Sequence, residues 1–309
     1  MTASLLAVLP PEAVIAPAQA DETAAAASGG PPSAPAIDLL VQRAKEQDPD
    51  AQYTLAVLGL TGKLGKQEPA SVIRLLSSAA GRGHREAIFL LGTLQLKGWN
   101  MPADPVRAAA LFTRGAQAGH IQSQIALARA LYDGNGLSRD RQAAATWFQK
   151  AADKGSGVAQ TNLGLMYLRG DGVQQDAGKG LALLTKAADA GLPGAQYNLA
   201  AAYAAGEGVP ADPTKAQALF SQAAEAGNQR AQYEYGLHLV TGKFIAADPR
   251  EGMKWLLIAA VGADRPLASQ ARETVKRLTP TIGNAAVIDA GELSKQWLTK
   301  RQWQQVKTQ

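Results

Sequence analysis

The residue types that carry out chemistry are scarce in this chain and poorly spaced for it. There is no cysteine, and the three histidines are His84, His120 and His238. Thiol nucleophiles and the common Cys/His zinc clusters are therefore excluded. His84 and His120 stand 36 residues apart in equivalent turns, which marks them as features of a repeated unit. His238 lies alone in a helical pattern, where a single His is more often a packing or surface residue than a base. Thr61-Gly62-Lys63-Leu64-Gly65-Lys66 lacks the Gly-Lys-Ser/Thr ending and the preceding strand of a phosphate loop. Asp133-Gly134-Asn135-Gly136 begins like a calcium loop, but no Glu stands at its twelfth position. Both read as turns. No catalytic residue, metal ligand or cofactor is expected.

What the spacing does reveal is periodicity. Gly83, Gly119, Gly155, Gly191 and Gly227 recur every 36 residues, and so do Asp104, Asp140, Asp176, Asp212 and Asp248. A fixed interval of this size means one structural unit copied into an array. Each copy opens on a small residue (Ala51, Ala87, Ser123, Ala159, Ala195, Ala231) and continues with apolar and small positions to Leu55, Leu91, Leu127, Leu163, Leu199 and Tyr235. That pattern suits a helix of about three turns better than a strand. Gly62, Gly98, Gly134, Gly170, Gly206 and Gly242 close it.

A second helix opens at the ladder aspartate, whose carboxylate can accept from the free amides of the first turn. Proline follows in Asp104-Pro105, Asp212-Pro213 and Asp248-Pro249, where its missing N–H costs nothing. The apolar positions of this helix read as Leu75, Leu111, Trp147, Leu183, Leu219 and Trp255. Small pairs such as Ala187-Ala188 and Ala223-Ala224 follow, then the ladder glycine as C-cap.

The run Ala195-Gln196-Tyr197-Asn198-Leu199, Gly206-Glu207-Gly208-Val209, Asp212 and Ala223-Ala224-Glu225-Ala226-Gly227 resembles the Sel-one-like repeat family, relatives of tetratricopeptide repeats. The copy from Val158 to Gly191 matches in the same register, and the resemblance covers roughly residues 50 to 262. Glu68 replaces the ladder aspartate in the first copy, and Lys243-Phe244 replaces the Gly-x-Gly loop in the last, so those two loops are expected to be irregular. The implied fold is all-α: an α/α superhelical solenoid of about six 36-residue helix-turn-helix repeats with capping helices at both ends. Composition agrees, with 46% hydrophobic but only 6% aromatic residues, which describes small-residue helix packing in one elongated core.

Three segments are expected. Residues 1–36, crowded with Pro, Ala, Gly and Ser from residue 10 onward, are expected to be a disordered leader. Within it, Ala18-Gln19-Ala20 before Asp21 fits a secretory cleavage site, although no Lys or Arg precedes the short apolar run. Residues 37–279 form the solenoid, with Leu39 and Ala44 of a lone first helix in register with Leu75 and Ala80. Residues 280–309 form a last helix started by Thr279-Pro280, with Ile282, Ala286, Ala290, Leu293 and Trp297 on one face, and a basic tail. The net charge of +5 concentrates after residue 264, in Arg265, Arg272, Lys276, Arg277, Lys295, Lys300, Arg301 and Lys307 against three acids. Such a tail reads as solvated or as a peripheral contact with an anionic surface. The array has no basic excess to follow a phosphate backbone, so nucleic acid is not an expected partner, and no stretch is long enough to span a bilayer.

What remains is a surface. The resemblance implies that the first helix of each unit lines a concave face where a peptide or protein docks. It places Asn162, Asn198 and Glu234 on that face, with Arg129, Arg230 and His238 around them. An Asn amide can both donate to and accept from a peptide backbone; alternatively Asn162 and Asn198 bond within their own repeats. The function expected is a non-enzymatic scaffold of the bacterial envelope, periplasmic or secreted. The alternatives are an envelope hydrolase of the penicillin-binding type, whose relatives are Cys-rich, and a cytoplasmic signalling regulator.

Overall fold

The computed structural model describes residues 33–65, 67–243 and 246–307, with side chains as far as Arg301. Among these residues there are fifteen helices and no strand. The chain divides into two compact units between Ala159 and Gln160. The first holds α1 (Ala34–Lys45) and the pairs α2 (Pro49–Leu60) with α3 (Pro69–Gly81), α4 (Arg85–Lys97) with α5 (Pro105–Gln117), and α6 (Ile121–Asp133) with α7 (Arg141–Asp153). The boundary falls in α8 (Gly157–Arg169). Beyond it come α9 (Ala177–Asp189), then α10 (Pro193–Ala205) with α11 (Pro213–Glu225), α12 (Gln229–Thr241) with α13 (Pro249–Ala259), and finally α14 (Arg265–Ile282) and α15 (Asn284–Lys307). Helices adjacent in sequence pack against one another within each unit, as stacked two-helix repeats require.

The ladder aspartates act twice. Each Oδ1 accepts from the amide three residues on, at 2.9 Å for Arg107, Ala143 and Lys179 and 3.0 Å for Lys215 and Glu251. Each aspartate's own amide also donates back to the preceding helix, to Gln95, Leu131, Tyr167, Tyr203 and Leu239. Glu68 makes no such cap bond, and α3 begins on Pro69 alone. His84 and His120 cap α4 and α6, their Nδ1 atoms accepting from Ala87 N and Ser123 N at 3.1 and 3.3 Å. Asn228 does the same for α12. The histidines are repeat features, as their spacing implies.

Close approach between the two helices of a repeat depends on glycine. A Cβ at Gly236 would lie 2.8 Å from the Gly252 carbonyl oxygen, and one at Gly164 would lie 2.9 Å from that of Gly180. The second glycine of the Gly-x-Gly loop serves packing between repeats: a Cβ at Gly208 would come within 2.8 Å of Ala177.

In the second helices the core runs one residue later than the sequence suggests. Leu76, Phe112, Phe148, Leu184, Phe220 and Leu256 are the buried residues, while Leu75, Leu111, Trp147, Leu183 and Leu219 are half-buried; only Trp255, in the last repeat, is itself buried as expected. In α1 the same slip leaves Leu39 exposed, with Leu40 and Val41 packed beside Ala44 and Leu55. Ala187 and Ala188 are buried, at the expected contact.

Within each unit a buried polar ladder ties neighbouring repeats together. The carbonyls of Ala44, Ala116, Ala188 and Ala224, in the last turns of α1, α5, α9 and α11, accept from the buried amides of Gln52, Gln124, Gln196 and Gln232 at 3.1–3.4 Å. These are C-terminal carbonyls that lack partners inside their own helices. Where Ile88 stands in place of the glutamine, the Arg114 guanidinium donates to Ala80 O instead. Where Ala268 stands, Arg272 donates to Ala260 O at 2.7 Å.

The C-terminal boundary differs from expectation. Thr279-Pro280 does not start a helix. α14 continues through Pro280 to Ile282, while the Thr279 hydroxyl bonds back to Val275 O at 2.8 Å. The break comes at Gly283, with φ 91° and ψ 144°, a conformation essentially reserved for glycine. α15 therefore begins at Asn284, and Ile282 belongs to the helix before it. The basic residues are also less free than a solvated tail would be. Arg272 and Arg301 donate to helix C-terminal carbonyls, and Lys295 pairs with Glu292 at 2.8 Å. The cleavage-like Ala18-Gln19-Ala20 and the Phe244 side of the last loop lie outside the described residues.

Candidate partner-binding site

The second unit gathers most of the expected site residues. Arg230, Glu234 and His238 follow one another at i, i+4 and i+8 on α12, so they form a single stripe. The stripe faces Tyr197 of α10 and Phe220 of α11. The Tyr197 and Phe220 ring centroids are 5.9 Å apart, and His238 meets Phe220 edge-on at 5.2 Å. All three stripe residues and Tyr197 are half-buried.

Half-burial sets the electrostatics. Desolvation, with the Glu234 charge adding to it, pushes the Tyr197 hydroxyl up to about 12, while the Arg230 guanidinium beside it works the other way. Desolvation raises Glu234 above the ordinary carboxylate value against the pull of Arg230 and Lys243. His238 is lowered, first by burial and then by Lys243. A carboxylate, a guanidinium, an imidazole and a phenol thus share a surface of restricted hydration, where each hydrogen bond to a ligand counts for more than in open water.

The two asparagines are not on an open face. Asn162 is fully buried on α8, and Asn198 on α10 is 8% exposed with its Nδ2 donating to Gly194 O at 2.8 Å. The intrahelical bond is what Asn198 does here, and neither residue belongs to an exposed backbone-reading row. Arg129 lies on α6 in the first unit, where burial lowers its pKa and Asp133, one turn on, opposes the shift. Tyr197, Phe220 and Lys243 were not among the sequence candidates. The available signal was Tyr197 at the ring position of the repeat, directly before Asn198.

Among the described residues no group of three or more His, Asp or Glu side chains is placed to hold a metal ion, and no helix is long and apolar enough to cross a membrane.

The Sel1 repeat model matches residues 85–120, 121–156, 157–192, 193–228 and 229–260. The chain belongs to the Sel1 repeat family. The α2–α3 pair, ahead of the first matched repeat, keeps the same helix order and the same Gln-to-carbonyl bond, from Gln52. A protective antigen of uropathogenic Escherichia coli strains that displays an SLR fold superimposes with a TM-score of 0.74 at 27% identity, over 85% of this chain and 56% of that one. This chain thus spans little more than half of that protein. A Sel1 repeat protein from Oxalobacter formigenes gives 0.67 at 25% identity, over 71% and 88%. No curated protein matches the sequence. Sel1 repeats generally mediate protein–protein interactions.

Proposed function

We propose that this Sel1 repeat protein is a non-enzymatic scaffold whose second unit holds a peptide or protein partner against the α10–α12 face. The carrying observation is the Arg230–Glu234–His238 stripe set against the Tyr197 and Phe220 rings. Rings supply apolar area with few rotamers to freeze, and the charged groups supply direction; Tyr and Arg are the types that dominate interface energetics. Glu234 can accept from a partner's backbone amide or basic side chain, and Arg230 can donate to a carbonyl or carboxylate. The setting proposed is the bacterial envelope, reached through cleavage after Ala20; the small-x-small pattern of Ala18-Gln19-Ala20 supports it.

Site-specific photo-crosslinking tests the face. A photoreactive residue at Ala201, half-buried on α10, should capture a discrete partner in the producing cell, and the same residue at exposed Lys186 on α9 should not. Arg230→Ala should abolish the Ala201 adduct. Equal capture from both positions, or an adduct indifferent to Arg230, refutes the assignment. Intact mass of the cellular protein tests the setting: a chain retaining residues 1–20 in the cytosol removes it.

A further inference from the structure

The C-terminal helix is joined to one helix and held by two others. α15 follows α14 with Gly283 as the sole residue between them, yet its polar contacts reach α13 and α11. Arg250 at the start of α13 donates to Asp289 at 3.1 Å. Trp297 Nε1 donates to Glu225 Oε2 at 2.7 Å, and Arg301 donates to the Glu225 and Ala226 carbonyls at 2.6 and 2.8 Å. The apolar seam matches. Ala290 is fully buried in a cluster with Met253 and Leu256, and the Trp297 ring stands edge-on to Trp255 at 5.5 Å. Trp255 is 1% exposed, whereas its equivalents one to five repeats earlier are half-buried. The α11–α13 face is therefore fitted to α15, down to the glycine at 227, where a Cβ would meet the Arg301 guanidinium.

We propose that this face also receives α15 from a second copy of the chain, so that two molecules associate by exchanging their C-terminal helices about Gly283. Exchange conserves every contact between α15 and its face, because the same groups meet across chains. Only the hinge changes. With helical φ and ψ at Gly283, α14 and α15 become one continuous helix that carries α15 off its own body. Pro280 does not oppose this, since it already sits within α14. A one-residue hinge in an unusual conformation is the condition under which identical elements trade places. The occupant is a second copy rather than a foreign helix because the face reads features of α15 itself: an acid opposite Arg250, an indole N–H opposite Glu225, and a guanidinium for the free carbonyls ending α11.

Light scattering on the full-length protein tests the idea. Gly283→Ala cannot hold φ 91° at ease and should tighten dimerisation by about tenfold or more. Inserting four Gly/Ser residues after Gly283 relaxes the hinge and should give monomer at the same concentration. The discriminating arm mixes two variants with the native hinge, Arg250→Asp and Asp289→Arg. Each alone sets like charges together whether closed or exchanged, but the mixed pair restores both ion pairs only across chains. Mixing should raise the dimer fraction by about tenfold, given how little one exposed pair contributes. A monomeric Gly283→Ala with native helix content overturns the proposal. Dimers indifferent to mixing place the second copy elsewhere and overturn it too. If Gly283→Ala does not fold, the mixing arm decides alone.

Discussion

The glutamine ladder makes two substitutions that look identical in the sequence come out differently. Gln232 and Gln196 occupy the same repeat position, and each amide donates to a carbonyl eight residues back. Gln232 does so at 3.1 Å and Gln196 at 3.4 Å. Each receiving carbonyl also takes a backbone amide at 2.9 Å, Ala224 O from Gly227 and Ala188 O from Gly191. Removing the side-chain donor thus strands neither carbonyl. Replacing Gln232 by Met keeps the length and apolar body of the side chain and loses one net hydrogen bond, about 0.5–1.5 kcal/mol. Gln196 differs in that its Oε1 is buried without a hydrogen-bond partner, which costs about 1–3 kcal/mol, and its one bond is long. Gln196→Met exchanges a weak bond for relief of that penalty and should come out neutral or stabilising. The expected order is Gln196→Met at or above wild type and Gln232→Met below it, separated by about 1 kcal/mol or more. Urea unfolding followed by far-UV circular dichroism measures the difference, with unchanged m-values checking that the array still unfolds cooperatively. Equal losses, or a larger loss at Gln196, would refute the account of the ladder.

Three further outcomes follow from the same structure. Glu234→Gln should raise stability near neutral pH and make no difference at low pH: a carboxylate raised on folding adds stability below its ordinary pKa and loses it as pH rises through the folded value. Chemical denaturation at two pH values reads this directly, and a variant weaker than wild type at neutral pH contradicts it. His120, lowered chiefly by burial and capping α6 through a neutral Nδ1, stabilises above its ordinary value and ceases to as pH falls below it. His120→Asn, which keeps a cap of the Asn228 kind, should flatten that acid-side slope in a melting-temperature titration. Ala187→Leu forces methylenes into a fully buried contact and should cost about 1–3 kcal/mol; an unchanged melting temperature would show that neighbouring helices do not meet there.

Repeat order, helix limits and the aspartate caps were legible because local chemistry and period agree: a carboxylate before a helical run, a glycine after it, and the same offset each time. The core register of the second helices slipped by one residue because Leu75-Leu76 and Leu183-Leu184 are adjacent apolar pairs. Periodicity alone does not say which member points inward. Asn162 and Asn198 were placed on the concave face by the family resemblance, with bonding inside the repeat as the alternative; their burial is a tertiary fact. Consequently their joint replacement by Ala, harmless on an exposed face, here removes buried polar groups and the Asn198–Gly194 bond. Thr279-Pro280 had every local mark of a helix start, yet α14 ran on until Gly283 supplied a left-handed residue. The glutamine ladder repeated in plain view, but its acceptors are backbone carbonyls, which carry no sequence signature.

An array built from one repeated unit supplies its own baseline for function. Where all copies agree, the residue serves the repeat; where one copy departs at a cost, something else is being served. At the positions of Arg230, Glu234 and His238 the preceding copy has Gly194, Asn198 and Ala202, and the one before it Val158, Asn162 and Met166. Those earlier residues are small, apolar or neutral, in keeping with a tight interface between helices. In the last matched repeat all three become ionisable on one stripe, and desolvation raises Glu234 above the ordinary carboxylate value. Packing alone gives no reason for the change, since Asn at the same place forms its bond within the helix. Placing ionisable groups where hydration is restricted costs stability, and functional sites are where proteins accept such local inconsistency. The departure from the repeat, read from sequence, and the half-burial of that stripe beside the Tyr197 and Phe220 rings, read from geometry, both support the proposed α10–α12 face.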